Sequence, residues 1–131
     1  MKDAGVEPRD VQFFFHGSAN PYILNRCITP NLQVADWFGM RGKGSVSHSE
    51  GCCTGYIALE EAVMAVASGM YDIVLSGCSE QGTGMPDVFE AVTQMRGEAG
   101  ERQVKKLPKH TFLRGFGGAQ NVRAIILRSG F

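Results

Sequence analysis

The sequence has no excess of charge of either sign: its 131 residues include 13 Lys+Arg and 13 Asp+Glu, so the formal net charge is zero. Nucleic acid and anionic membranes attract proteins with a marked cationic excess, so neither is predicted as the main partner. No unbroken apolar run reaches the roughly 18 to 20 residues that a bilayer span needs. The first residues also lack the apolar core of a signal peptide. We therefore expect a cytoplasmic, single-domain protein over residues 1–131.

The four cysteines are spaced in a way that argues against two common uses of cysteine, disulfide bonding and metal binding. The four cysteines are Cys27, Cys52, Cys53 and Cys78, and the two adjacent ones cannot easily bond to each other. A cytoplasmic chain would keep its thiols reduced in any case. No C-x-x-C pair is present, and His48 with the adjacent cysteines would need further ligands to hold zinc. The sequence therefore predicts neither a disulfide framework nor a metal.

The order of apolar and turn-forming segments predicts an α/β fold with a mixed, mostly parallel sheet. Residues 11–15 and 71–77 are rich in strand-forming residues, and residues 45–49 give a weaker strand signal. Residues 54–68 are almost all apolar or small, which predicts a helix buried on most of its circumference. Strand, helix and strand with tight connections predict a right-handed parallel crossover.

The other segments are read in the same way. Thr29 and Pro30 predict a helix start, and Trp37 and Phe38 near the end of that helix are predicted as core contacts. Pro86 begins a second amphipathic helix, with an apolar side comprising Val88, Phe89, Val92 and Met95. Residues 97–111 are polar and predict an exposed connection, and residues 122–127 predict the last strand.

Residues 51–55, Gly-Cys-Cys-Thr-Gly, connect a predicted strand to the apolar helix. A residue on such a turn is expected to be exposed at the sheet edge, where open α/β sheets bind ligands. The partial positive charge of the first helical N–H groups favours a thiolate. Flanking glycines leave room for a substrate carbonyl. The turn is compatible with an activated nucleophile, but the residues alone favour Cys52 and Cys53 as small buried side chains.

Two segments carry a family resemblance. Residues 53–59, Cys-Thr-Gly-Tyr-Ile-Ala-Leu, and residues 67–80, from Ala-Ser-Gly-Met-Tyr-Asp to Cys-Ser-Glu, resemble the active-site helix and following strand of the thiolase superfamily. The most similar branch is the β-ketoacyl-ACP synthase III type. The glycine cluster at residues 115–119 resembles the family's glycine-rich loop before an outer strand, whereas residues 82–111 match poorly.

The resemblance implies half of a thiolase-like fold and covalent acyl transfer in fatty acid or polyketide metabolism. By position in the motif, Cys53 would take the acyl group from a thioester of coenzyme A or of a phosphopantetheinyl carrier protein. No permanently bound cofactor is implied. The N–H of Cys53, or those of Gly117 and Gly118, would be the oxyanion donors.

Complete family members are more than twice as long, and their second half supplies the histidine and the asparagine, or second cysteine, that complete the catalytic set. The chain is therefore expected to be a piece of a longer enzyme, a small subunit completed by a second copy or a complementary thiolase-like chain, or a relative that kept the fold and lost condensation. Two other functions stay open. One is a non-catalytic structural or regulatory subunit, and the other is a cysteine hydrolase with a Gly-x-Cys-x-Gly elbow.

Several other residues are candidates for accessory roles. His16 is the better candidate base, because the resemblance implies a position in a loop over the pocket mouth, whereas His48 is the weaker one. Glu80 matches a family glutamate near the site, and Asn20 could position a substrate carbonyl. Residues 101–114 contain five cations, one of which is Arg114, and one anion. This local excess of positive charge could attract coenzyme A phosphates or an acidic carrier protein.

Overall fold

A computed structural model describes residues 1, 4–24, 26–79, 84–117 and 121–130. Its centre is a parallel sheet of three strands in the order β2–β1–β3. The strands are β1 (Phe13–Gly17), β2 (Gly44–His48) and β3 (Val74–Cys78). The predicted α/β class and the parallel pairing are confirmed, with β1 lying between the two strands that the apolar helix connects.

Four helices and a hairpin complete the described fold. The helices are α1 (Pro21–Leu24), α2 (Pro30–Trp37), α3 (Thr54–Ala67) and α4 (Met85–Arg96). The hairpin pairs β4 (His110–Gly117) with β5 (Asn121–Arg128) in antiparallel register. Among the described residues, no helix is both long and apolar enough to traverse a bilayer.

The central strand explains why helices pack on both faces of the sheet. Successive side chains of a strand point to opposite faces, so the aromatic run of β1 supplies apolar surface to each. Phe14 packs with Ala35 of α2 on one face. Phe15 packs on the other with small side chains of α3, including Ala58 and Ala62, which let that helix lie close to the sheet. This layered arrangement holds the start of α3 at the end of the strands.

Burial of α3 is less complete than the sequence predicts. Its first five residues, 54–58, are buried. Farther along, the exposed side chains include Val63, Met64 and Val66. Val63 and Val66 line an open groove with Val74 and Ser76 of β3, which the described elements leave uncovered. The prediction of a helix buried on most of its circumference is therefore wrong for its second half.

Three aromatic side chains are also more exposed than predicted. Trp37 is 73% exposed and Phe38 52% exposed, since α2 buries only its short side chains against the sheet. Their prediction as core contacts is wrong. Phe89 of α4 is exposed as well, whereas Val88 is buried.

The connection between α4 and the hairpin is shorter than the predicted segment 97–111. His110 and residue 111 belong to β4, so the connection covers residues 97–109 and includes a short 3-10 turn at Gly100–Arg102. Gln94 of α4 holds this segment: its Nε2 donates to the Arg102 carbonyl at 2.9 Å, and its Oε1 accepts from the Val104 N–H at 2.9 Å.

Candidate functional site

The three parallel strands end at one edge of the sheet, where α3 begins. Gly17, the last residue of β1, is in register with His48 at the end of β2 and with Cys78 at the end of β3. A Cβ atom at Gly17 would lie 2.9 Å from Cγ2 of Thr54 and 3.0 Å from Sγ of Cys78. Glycine at this position therefore allows the start of α3 to approach the strand ends closely.

The turn before α3 is closed by one hydroxyl group. Thr54 Oγ1 donates to the Gly51 carbonyl at 2.6 Å and accepts from the Glu50 N–H at 2.8 Å. Gly51 has a φ of 59°, which favours glycine. The 3-10 turn Gly51–Cys53 thus leads directly into α3 with Cys53 as its N-cap residue. The predicted position of Cys53 at the helix start is confirmed.

The exposure of the two adjacent cysteines is the reverse of what an accessible nucleophile at residue 53 requires. Cys53 is 0% exposed, whereas Cys52 is exposed. The β4–β5 hairpin packs against the turn that carries both residues. The expectation that residue 53 is exposed at the sheet edge is therefore wrong, because a segment about sixty residues away covers it.

Tyr56 is a residue of the site that the sequence did not single out. Its ring is fully buried, and its hydroxyl donates to Asp87 Oδ2 at 3.1 Å. Burial, followed by the hydrogen bond and the negative charge of Asp87, raises the pKa of Tyr56 to about 12. A Cβ atom at Gly84 or Gly115 would overlap the ring. The two glycines do not reveal this packing in the sequence, because nothing local to them indicates that Tyr56 is their neighbour in space.

The described part of the glycine cluster near the C-terminal end, residues 115–117, lies in a strand and not in the predicted loop before an outer strand. Gly115 and Gly117 belong to β4, and Gly117 lies opposite Asn121 of β5. Gly118 lies outside the described residues. Residue 115 is a glycine because the strand passes directly over the Tyr56 ring and leaves no room for a Cβ atom.

The histidines occupy structural positions. His16 lies inside β1 and is fully buried, with its Nδ1 3.2 Å from Ser47 Oγ and its ring edge-on to Phe14. The implied position in a loop over a pocket mouth is therefore wrong. His48 Nε2 lies 3.0 Å from Oε2 of Glu61, which joins the end of β2 to α3.

The remaining predicted residues are dispersed. Asn20 Oδ1 accepts from the Ile23 N–H at 3.3 Å and so helps to begin α1. Arg114 is exposed on β4, with its guanidinium carbon 4.4 Å from the centroid of the Phe116 ring. Glu80 lies outside the described residues.

A shallow pocket of about 290 Å³ lies beside the turn. Its lining residues are Cys52, Tyr56, Gly84, Asp87, Arg114, Gly115 and Phe116. Arg114 thus lines the same pocket as the exposed Cys52, and Cys53 is not among the lining residues. In the part of the chain that the structure describes, no three His, Cys, Asp or Glu side chains group closely enough to hold a metal ion.

The relatives of this chain among known proteins include two from archaea, and no protein-family profile matches the chain. Acetyl-CoA acetyltransferase of Methanothermobacter thermautotrophicus is 29% identical over 103 residues, which are 79% of this chain and 27% of that protein. Acetyl-CoA acetyltransferase of Methanocaldococcus jannaschii is 30% identical over 95 residues, 71% of this chain and 24% of that protein.

These matches support the resemblance of the chain to the thiolase family. The chain spans about a quarter of the length of the curated relatives it matches. Its α/β architecture, with helices on a parallel sheet, is compatible with part of a thiolase-like fold. The resemblance to the β-ketoacyl-ACP synthase III branch stays a prediction.

Proposed function

We propose that this chain is an acyltransferase module of the thiolase type, in which Cys53 accepts an acyl group from a coenzyme A thioester. The observation that supports it most is the position of Cys53 at the N-cap of α3, on the edge where the parallel strands end. Both relatives carry the name acetyl-CoA acetyltransferase, so acetyl-CoA is the first substrate to test. An acyl-carrier thioester is the further candidate donor.

The chemistry is an exchange of thioesters. The Cys53 thiolate attacks the carbonyl carbon, a new carbon–sulfur bond forms, and the bond to the coenzyme A sulfur breaks as that thiolate leaves and takes up a proton. The N–H of Cys53 itself, or that of Gly117 or Gly118, is the proposed donor to the oxyanion. The acyl group then passes to an acceptor carbanion or other nucleophile.

Access to the thiol and completion of the site both call for additional structure. Because the β4–β5 hairpin packs on the turn that carries Cys53, acylation requires the hairpin to open locally. We propose that a complementary thiolase-like chain, or a second copy of this one, supplies the groups that the acceptor step needs. Half of a thiolase-like fold and a cytoplasmic location are parts of the same proposal.

The acyl-transfer step can be tested on the chain alone by intact-mass measurement after incubation with acetyl-CoA. We expect one acetyl adduct on the wild type and on Cys52→Ala, because the exposed thiol is not the proposed nucleophile. Cys53→Ala should carry none. The same adduct on Cys53→Ala, lost instead in Cys52→Ala, would contradict the assignment.

A second function is favoured by one specific observation, the complete burial of Cys53. A structural or regulatory subunit that pairs with a thiolase-like enzyme would need no reachable thiol. In that case Cys53 would react with acetyl-CoA and with alkylating reagents no faster than an unperturbed cysteine, while the chain would still form a complex with the enzyme.

A further inference from the structure

The hydroxyl group of Thr54 joins the two ends of the turn that carries the adjacent cysteines. It donates to the Gly51 carbonyl at 2.6 Å and accepts from the Glu50 N–H at 2.8 Å, so the start of α3 is held against the end of the preceding segment. The Thr54 side chain is 0% exposed. Both bonds therefore form within the protein, where a backbone group that lost its partner would be costly.

The methyl group of the same side chain sets the direction of the hydroxyl group. A Cβ atom at Gly17 would lie 2.9 Å from Thr54 Cγ2, so the methyl group packs closely on the end of β1. Threonine is branched at its Cβ atom, which leaves few χ1 rotamers once one branch is held in place. The hydroxyl group is therefore directed at Glu50 and Gly51 by contact with the central strand.

The segment that enters the turn is also bound to the end of β1. The Ser18 N–H donates to the His48 carbonyl at 3.0 Å, and Ser49 Oγ donates to the Ala19 carbonyl at 3.2 Å. Neither these bonds nor the two bonds of Thr54 involve the β4–β5 hairpin. The shape of the turn therefore depends on the sheet edge and on α3, and it is kept when the hairpin opens.

The rotation of this turn distinguishes two otherwise identical side chains. In a 3-10 turn, successive side chains point about 120° apart. Within the turn Gly51–Cys53, this difference leaves Cys52 exposed and Cys53 at 0% exposure. A rotation of the turn by one residue would exchange the surroundings of the two thiols. Whatever fixes the rotation therefore decides which cysteine lies at the end of the strands.

We propose that Thr54 is a positioning residue that fixes the rotation of the turn and thereby selects Cys53, not Cys52, as the acyl acceptor. The selection of an acyl acceptor rests on the proposed function, whereas the different reactivity of the two thiols follows from the geometry of the turn alone. When the hairpin opens to admit a thioester, the two bonds of Thr54 hold the Cys53 thiol in place at the strand ends.

Alkylation with iodoacetamide under native conditions, followed by peptide mapping, measures the selection directly. In the wild type Cys52 should react faster than Cys53. Thr54→Val keeps the shape of the side chain and removes both hydrogen bonds, so the ratio of the Cys52 rate to the Cys53 rate should fall about tenfold or more. The rate at Cys27, in the connection between α1 and α2, should not change. Acetylation of Cys53 by acetyl-CoA should become about tenfold slower, because the thiol is misplaced.

Two sets of variants control the measurement. Thr93→Val removes a hydroxyl group that donates to the Phe89 carbonyl at 2.8 Å on α4, and it should leave the ratio of the two rates unchanged. Thr54→Ser and Thr54→Ala both lack the methyl group and differ from each other only in the hydroxyl group, so they repeat the comparison without adding bulk to the buried site. The serine variant should keep the wild-type ratio within about threefold, and the alanine variant should lose it.

A wild-type ratio in Thr54→Val and Thr54→Ala would overturn the proposal. An equal increase in rate at Cys27, Cys52 and Cys53 would also overturn it, since Thr54 would then support only the stability of the fold. A ratio that falls as expected, in a chain whose Cys53 is never acetylated, would refute the proposed function and support the positioning role. Acetylation of Cys53 at the wild-type rate in Thr54→Val, with an unchanged ratio, would refute the positioning role alone.

Discussion

The hydroxyl group of Tyr56 is a buried polar link between α3 and α4. It donates to Asp87, and the ring fills the space left by Gly84 and Gly115. Because burial and the neighbouring carboxylate both disfavour the phenolate, the folded chain holds the hydroxyl proton more tightly than the unfolded chain does. This single residue therefore couples packing around the candidate site to pH.

Tyr56→Phe should change the pH dependence of stability in the alkaline range. The pKa of Tyr56 is raised from 10.0 to about 12, so its contribution is complete below pH 10 and falls as the pH rises toward 12. We expect the wild type to lose about 2–3 kcal/mol more than the variant across this interval. The variant itself should be about 1 kcal/mol less stable at neutral pH, through loss of the hydrogen bond.

Urea unfolding of both proteins at closely spaced pH values measures this difference. Other tyrosines, lysines and cysteines titrate in the same range, but they are common to both proteins and cancel in the comparison. Parallel stability curves between pH 10 and 12 would show that the Tyr56 proton is not held in the folded state.

Gly115→Ala tests the packing of the hairpin over Tyr56. The added Cβ atom would overlap the buried ring, so the strand or the ring must move, and we expect a loss of about 1–3 kcal/mol in the free energy of unfolding. Gly130→Ala is the matched control, because a Cβ there meets nothing within 4 Å. Equal stability of the two variants would contradict the described contact.

At the level of single residues, the sequence predicts the place of Cys53 but not its burial. The Gly-Cys-Cys-Thr-Gly pattern between a strand and an apolar helix is local, and it sets the residue at the start of α3. Its exposure depends on a hairpin that packs back from residues 110–128, a non-local contact without a local signal. The burial of His16 was missed as well. Strand β1 continues one residue beyond it, to Gly17, so His16 lies in the sheet and not in a loop.

The elements themselves follow from patterns of a few residues. The aromatic run at 13–15 forms a central strand, and small residues at Ala58, Ala62 and Ala65 form the sheet-facing side of α3. What the composition of α3 could not give is which of its remaining apolar residues are covered. An apolar composition predicts that a helix is buried, but it does not identify which element covers it. In this fold the described elements cover only one side of the second half of α3.

A pair of substitutions tests the orientation of α3. Ala62→Gln places a longer polar side chain against Phe15 and should destabilise the fold by about 2 kcal/mol or more. Met64→Gln lies on the exposed side and should change stability by no more than about 0.5 kcal/mol. Denaturation of both variants under one set of conditions provides the comparison, and equal losses would contradict the described orientation.

For the molecule as a whole, the described fold positions a cysteine at a helix start and covers it with a hairpin. It leaves β2 and β3 at the two edges of a small sheet and an apolar side of α3 exposed. Such edges and faces are where further structure packs in larger proteins. These features support our proposal that the acceptor step uses a complementary chain.

The most direct test of the central proposal is to locate the acyl group on the unmodified protein. Peptide mapping by tandem mass spectrometry, after wild-type chain has reacted with acetyl-CoA, distinguishes Cys52 from Cys53. The account predicts a hydroxylamine-sensitive acetyl thioester on Cys53, formed slowly because the hairpin must open first. Acetylation confined to Cys52, or no thioester on either residue, would contradict it.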